Sequence, residues 1–166
     1  LNSVALERLK STTSTSFAGD LRKWLEIMQA YEKGGHAYHA TMPTDALARF
    51  RDTMKETEAY GFSKVCGEQQ ELGDKVRALL VDKGIKSVAA EGFQAPGVVV
   101  SYTDDAGIQD GKKFAEAGLQ IAAGVPLRCG ESETFQTFRL GLFGLDKLHN
   151  VDRTVELLDR GLNEIL

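Results

Sequence analysis

The chain is poor in the residues that announce a specialised class of protein. Two cysteines in 166 residues cannot build a disulfide framework, and Cys66 and Cys129 stand far apart in the sequence. Both are read as free thiols. Cys66 falls at an apolar helical spacing that predicts packing, and Cys129 lacks the neighbouring histidine or second thiol that nucleophilic chemistry needs. No apolar run approaches a membrane span, and no basic-then-apolar leader opens the chain, so a cytoplasmic, water-soluble protein is expected. Charge of one sign is scarce too. The 20 Lys and Arg against 24 Asp and Glu leave a net charge of −4 with the signs interspersed, which argues against nucleic acid or an anionic membrane as the main partner. His36, His39 and His149 have no further ligand at metal-site spacing, so no metal site is expected. Phosphate-binding glycine patterns are missing as well, since neither a P-loop nor a Gly-x-Gly-x-x-Gly run after a strand occurs.

What remains is ordinary globular material, 42% hydrophobic and 27% charged, long enough to bury a core. The hydroxyl-rich run from Ser11 to Ser16 predicts a loop between a helical stub, Ser3 to Leu9, and a helix capped by Asp20. That helix places Leu21, Trp24, Leu25, Met28 and Tyr31 on one face and stops at Gly34 and Gly35. A third helix from Asp45 to Tyr60 puts Leu47, Phe50 and Met54 inward, and Gly61 ends it. The fourth, capped near Ser63, carries Val65, Leu72, Val76, Leu79 and Leu80 and ends at Gly84.

Then the period changes. Ile85 to Ala90, Val98 to Tyr102, Leu119 to Val125 and Thr137 to Leu142 read as strands, with a turn at Asp104 to Gly107 and a short helix near Gly111 to Ala117 between them. Asn150 caps a closing helix from Val151 to Leu166 that bears Val155, Leu158, Leu162 and Ile165. The order of elements predicts an α+β fold: a mostly antiparallel sheet of about four strands with helices packed on one face.

Two places carry chemistry. The segment from Tyr38 to Leu47 gathers hydroxyls at Tyr38 and Thr41 ahead of a helix that Pro43, Thr44 and Asp45 can start. Hydroxyls beside a helix N-terminus suit a phosphate, although by their local chemistry the same residues read first as a polar loop that merely caps the helix. In the strand from Thr137, Phe138, Leu140 and Leu142 point one way, while Arg139 points the other with Gly141 beside it. An arginine on a rigid strand can clasp a carboxylate through two parallel bonds, or can simply be solvated.

The longer motifs settle on a family. Tyr38-His39-x-Thr41-x-Pro43 ahead of the helix from Ala46, the run Gln94-Ala95-Pro96-Gly97-Val98-Val99-Val100, the run Gly118 to Gly124, Phe138-Arg139-Leu140-Gly141-Leu142-Phe143-Gly144 and the helix start after Asn150-Val151-Asp152 come in one order. Together they resemble the alanine-glyoxylate and serine-pyruvate branch of the class V aminotransferases, fold-type I enzymes that use pyridoxal phosphate. The resemblance covers nearly all of the chain but only the C-terminal part of such an enzyme. It implies that residues 1–166 are the small C-terminal domain, with 1–42 as the connecting helices and loop, and that the large cofactor-binding domain is absent.

The resemblance also assigns roles. Arg139 would grip the substrate α-carboxylate, and Tyr38 and Thr41 would reach the cofactor phosphate of the other subunit of a homodimer. No catalytic residue is expected in this chain, because the family's cofactor-binding lysine and the acid that partners the pyridine nitrogen come from the large domain. The sequence opens Leu1-Asn2-Ser3 without a methionine, in keeping with a fragment that is inactive alone. The parent would move an amino group from a small amino acid, alanine or serine, to a 2-oxo acid, glyoxylate or pyruvate. The alternative is a free-standing small-molecule-binding or dimerisation module without catalysis. The charged loop Gly130 to Thr134, just before the Arg139 strand, lies outside these motifs, and such loops often set specificity.

Overall fold

Asp20 starts the first long helix, its carboxylate accepting from the Arg22 and Lys23 amides at 3.0 and 3.2 Å. This helix, α2, spans Leu21–Glu32 and follows α1, Ser3–Lys10, which Asn2 caps. The computed structural model describes all 166 residues, which divide into two compact units, Leu1–Asp52 and Thr53–Leu166.

In the first unit, Arg22 Nη2 donates to the Leu9 carbonyl at 2.7 Å and to that of Thr12, so α2 satisfies carbonyls that the end of α1 leaves free. Trp24 Nε1 donates to Ala18 O at 2.7 Å and holds the intervening loop. No residue of this unit is fully buried. Of the residues that the spacing puts on one face of α2, Leu21, Met28 and Tyr31 are exposed. The helix α3, Thr44–Tyr60, differs in the same way: Leu47, Phe50 and Met54 share a face by spacing, yet that face is open, with Phe50 64% exposed. Helical periodicity locates an apolar stripe but says nothing of what lies against it.

The second unit holds the core. Helix α4 runs Phe62–Asp82, and Gly61, not Ser63, occupies its N-cap, at φ 103° where a side chain would be strained. Leu72, Val76 and Leu80 of α4 pack with Val99 of strand β1, Val98–Tyr102, and with Phe138 and Leu140 of strand β3, Thr137–Gly141. The short β2, Ala122–Ala123, pairs with the other edge of β3, giving an antiparallel sheet in the order β1-β3-β2. Helices α5 (Ala106–Gln109), α6 (Lys112–Glu116), α7 (Leu145–Leu148) and α8 (Val151–Ile165) complete the core through Ile108, Phe114, Leu148 and Leu162. Phe114 and Phe138 are tilted against each other, ring centroids 5.4 Å apart. The fold is α+β, with three strands where about four were expected.

The missing strand has a physical cause. Ile85 to Ala90 follows β1 through only the Ser87 and Ser101 bridge, flanked by Tyr102 N to Lys86 O at 2.9 Å and Val88 N to Val100 O at 3.0 Å. Ser87 then turns its hydroxyl to its own backbone, accepting from Ala89 N at 3.2 Å, which breaks the extended run. The expected strand from Leu119 to Val125 shrinks to two residues. At Asp104 to Gly107 a turn was expected; Asp105 caps α5 there, accepting from Gly107 and Ile108 amides at 2.8 and 3.0 Å.

Two lysines fasten α4 to α8. Lys75 Nζ lies 2.6 Å from Asp152, and Lys83 Nζ lies 2.7 Å from both Asp159 and Asn163. Such partly exposed pairs add about 0.2–1 kcal/mol each, far less than the buried leucines beneath them.

Candidate functional site

The hydroxyls of Tyr38 and Thr41 converge in the structure, Oη to Oγ1 at 3.1 Å. They sit on the bent, non-helical segment just before α3, where Thr44 N donates to Met42 O at 2.9 Å and Leu47 N to Pro43 O at 3.0 Å. Pro43 fixes the turn into the helix and leaves first-turn amides pointing away from the helix body. Both hydroxyls face solvent, with Tyr38 73% exposed. His39 is held differently: Nε2 lies 2.8 Å from Phe17 O, and its ring packs against Phe17 and Trp24 at 4.4 and 5.2 Å. It therefore braces the loop that carries Tyr38.

Arg139 belongs to the second unit. On β3 it lies directly between Val100 of β1 and Ala122 of β2, on the face opposite Phe138 and Leu140. Nε donates to Ala123 O at 2.9 Å, and this one bond anchors the guanidinium to the sheet. No carboxylate of the chain pairs with it. The two terminal amino groups are thus left for a planar acceptor, and half-burial makes them worth more to an anion than in open water.

Close backbone approaches shape this strand's surroundings. A Cβ at Gly124 would collide with the Thr137 carbonyl, and one at Gly97 would lie 2.6 Å from Cε1 of Phe143. The run from Gln94 to Val98 is clamped by α4: Gln69 Nε2 donates to Pro96 O at 3.1 Å, and Arg77 Nη2 donates to Ala95 O at 2.6 Å and Val98 O at 3.2 Å. A pattern search for charged pairs could not have found Arg77, because all its acceptors are carbonyls.

The loop between β2 and β3 has its own anchor, which the sequence left unread. Glu131 accepts from the Arg128 and Cys129 amides at 2.7 and 2.8 Å, and these bonds hold its carboxyl down at about 2. Arg128 adopts φ 59°, a left-handed conformation rare outside glycine. A carboxylate three residues past a basic residue gives a faint signal of such a clasp.

No protein-family model matches the sequence, and no curated protein matches it either. Solved structures do. The chain is similar to an alanine–glyoxylate aminotransferase from Nostoc sp., with a TM-score of 0.68 at 17% identity over 98% of this chain and 42% of that one. It is also similar to an aspartate aminotransferase of subgroup IV from Thermus thermophilus, with a TM-score of 0.63 at 19% identity over 100% of this chain and 44% of that one. The chain shares their fold. It spans less than half the length of either aminotransferase. At these identities the likeness is one of backbone architecture, and it agrees with the fold expected from the motifs around Tyr38 and Arg139.

The two thiols complete the comparison with the sequence. Cys66, expected to be packed, is exposed on α4, and Cys129 is exposed in the β2–β3 loop. His149 packs its ring on Tyr60, centroids 4.7 Å apart, while Tyr60 Oη donates to Glu68 at 2.6 Å. No helix is long and apolar enough to cross a membrane.

Proposed function

We propose that this chain is the small C-terminal domain, residues 1–166 with 1–42 as the connecting segment, of a pyridoxal phosphate-dependent aminotransferase of the alanine-glyoxylate or serine-pyruvate type. The observation that carries the reading is Arg139, a strand arginine tied down by one bond to Ala123 O and paired with no carboxylate of the chain. An enzyme that acts on amino and oxo acids needs such a fork for the α-carboxylate. The solved aminotransferases of like fold support the class of reaction.

The donor chemistry near α3 fits the cofactor. Tyr38 and Thr41 offer two hydroxyls 3.1 Å apart beside a helix N-terminus, a set suited to phosphate oxygens. In the reading, they hold the phosphate bound by the neighbouring subunit of a homodimer. When bound, pyridoxal phosphate supplies an electron sink that makes a bond at the substrate α-carbon ionisable. Arg139 orients the substrate by its carboxylate, so that the amino group is directed to one place and the side chain to another. The lysine that moves the proton belongs to a large domain outside residues 1–166, and alone the chain is inactive. The open apolar face of α3 agrees with a partner domain or subunit lying against it. The parent's substrates are a small amino donor, alanine or serine, and a 2-oxo acid, glyoxylate or pyruvate, and its compartment is the cytoplasm.

Mixing the chain with pyridoxal phosphate, reducing with borohydride and mapping the product by mass tests the division of labour. The expected result is no site-specific adduct. Trapping on one particular lysine would place the covalent chemistry inside this chain and overturn the reading. Reading the coding sequence upstream of Leu1 supplies the second arm, with a lysine-bearing large domain expected.

A further inference from the structure

Two buried polar atoms of the core have no partner in the protein: Arg77 Nε and Ser101 Oγ. Ser101 is 1% exposed, inward-facing on β1 and directly opposite Phe138. A hydroxyl left alone in that position is destabilising, and a strand position among Val99, Phe138 and Leu140 would take valine without that cost. Arg77 spends one Nη1 hydrogen on the Gly73 carbonyl and both Nη2 hydrogens on those of Ala95 and Val98, while its buried Nε–H has no acceptor in the protein. Burial lowers the pKa of this guanidinium from its ordinary value, in keeping with its removal from bulk water.

Both residues line the same small cavity. Its other walls include Ser87, Leu80, Ile85 and Val99, and its volume is ≈ 10 Å³. That is about the room one water needs, and a water there requires two to four polar partners. A phosphate or carboxylate would not fit. The cavity also lies where the fourth strand was expected, between β1 and the segment that meets it at Ser87.

We propose that this cavity is a binding site for a single ordered water, which accepts from Arg77 Nε and bonds to Ser101 Oγ. The water joins three elements that protein hydrogen bonds join incompletely: α4, β1 and the 85–89 segment. It stands in for the strand pairing that Ser87 interrupts, and it keeps that segment seated beside β1.

Crystals of the chain grown in sodium bromide separate the outcomes. The expected map has one oxygen-sized peak within hydrogen-bond distance of Ser101 Oγ and Arg77 Nε, with no anomalous signal. A bromide peak would make the site one for a halide, and a map without a peak would make the cavity dry; either overturns the proposal. In solution, the Arg77 Hε resonance is expected to show a direct cross-relaxation peak to water while exchanging slowly. The Ser101→Val variant, whose methyls take the water's space, is expected to lose that peak with β1 intact; a peak that survives would overturn the assignment. If Ser101→Val fails to fold, the measurement on the unaltered chain still decides.

Discussion

Gly73 and Pro96 meet so closely that a methyl group cannot stand between them. A Cβ at Gly73 would lie 2.7 Å from the Pro96 carbonyl oxygen, which also accepts from Gln69. The contact lets α4 lie against the chain leading into β1, and with it the clamp that Arg77 closes on Ala95 and Val98.

Gly73→Ala is therefore expected to destabilise the chain by about 1–3 kcal/mol through overpacking. Gly67, on the same helix, is the internal control: no heavy atom lies within 4 Å of its would-be Cβ. Gly67→Ala should gain roughly 0.5–1 kcal/mol from helix propensity. Urea unfolding of both variants checks the pair. Equal effects of one sign would mean that the close approach of α4 to Pro96 is not real.

Both cysteines are expected to react with an aromatic disulfide reagent in the native chain. Cys66 and Cys129 are exposed, so blocking should be complete without denaturant and at similar rates. A slow phase that appears only on unfolding would restore the packed position that the spacing of Cys66 suggested.

That discrepancy shows where sequence reading stops. The apolar ladder Leu72, Val76 and Leu80 and the alternation Phe138, Leu140, Leu142 were legible because a buried neighbour runs their whole length. Cys66, Phe50 and Met54 have the same spacing without such a neighbour, and periodicity alone cannot tell the two cases apart. Asp20 and Asn150 were readable as caps because capping is local, decided within four residues. Ile85 to Ala90 looked like a strand by composition, but pairing is a non-local property that Ser87 undoes by bonding to Ala89. Arg139 and the Tyr38–Thr41 pair were singled out by the donors they carry, and the two hydroxyls do meet, 3.1 Å apart. The Ala123 anchor of Arg139 was not, since a backbone acceptor sixteen residues away leaves no mark on composition.

Glu131 gives a pH dependence with a definite sign. Its folded pKa of about 2 lies below the ordinary 4.5, because amides of Arg128 and Cys129 favour the charged form. The clasp therefore contributes fully above pH 4.5, fades as pH falls toward 2 and is absent below. Glu131→Gln should lower the melting temperature most at neutral pH, with the gap to the unaltered chain closing between pH 4.5 and 2. A gap independent of pH would mean that the carboxylate charge plays no part in holding the loop.

Removing either hydroxyl of the Tyr38 and Thr41 pair should weaken cofactor retention in the parent enzyme. Tyr38→Phe and Thr41→Val each delete one donor and leave the loop braced by His39, whose ring packs on Phe17 and Trp24. A hydrogen bond to a charged acceptor is worth about 1.5–3 kcal/mol, so each change should raise the cofactor Kd roughly tenfold or more. Dialysis followed by fluorescence of the released cofactor reads this directly. Unchanged retention in both variants would leave the hydroxyls as a helix-entry feature.

Arg139 permits a sharper separation of roles. Its Nε bond to Ala123 O is a neutral acceptor's share of a charged donor, and losing it should cost the fold only about 1 kcal/mol, with β3 still paired to β1 and β2. The terminal amino groups pair with no carboxylate of the chain, so their loss should fall on the substrate and not on stability. Arg139→Ala is expected to lower kcat/KM for carboxylate substrates by a factor of ten to several hundred, the measure of about 1.5–3 kcal/mol of charged hydrogen bonding. Cofactor affinity should hardly move. Arg139→Lys keeps the charge and loses the planar fork, and should recover only a small part of the deficit. Full recovery by lysine would show that Arg139 acts as a point charge; substrate kinetics unchanged by either variant would remove it from the site and leave the fold's likeness to aminotransferases without its substrate grip.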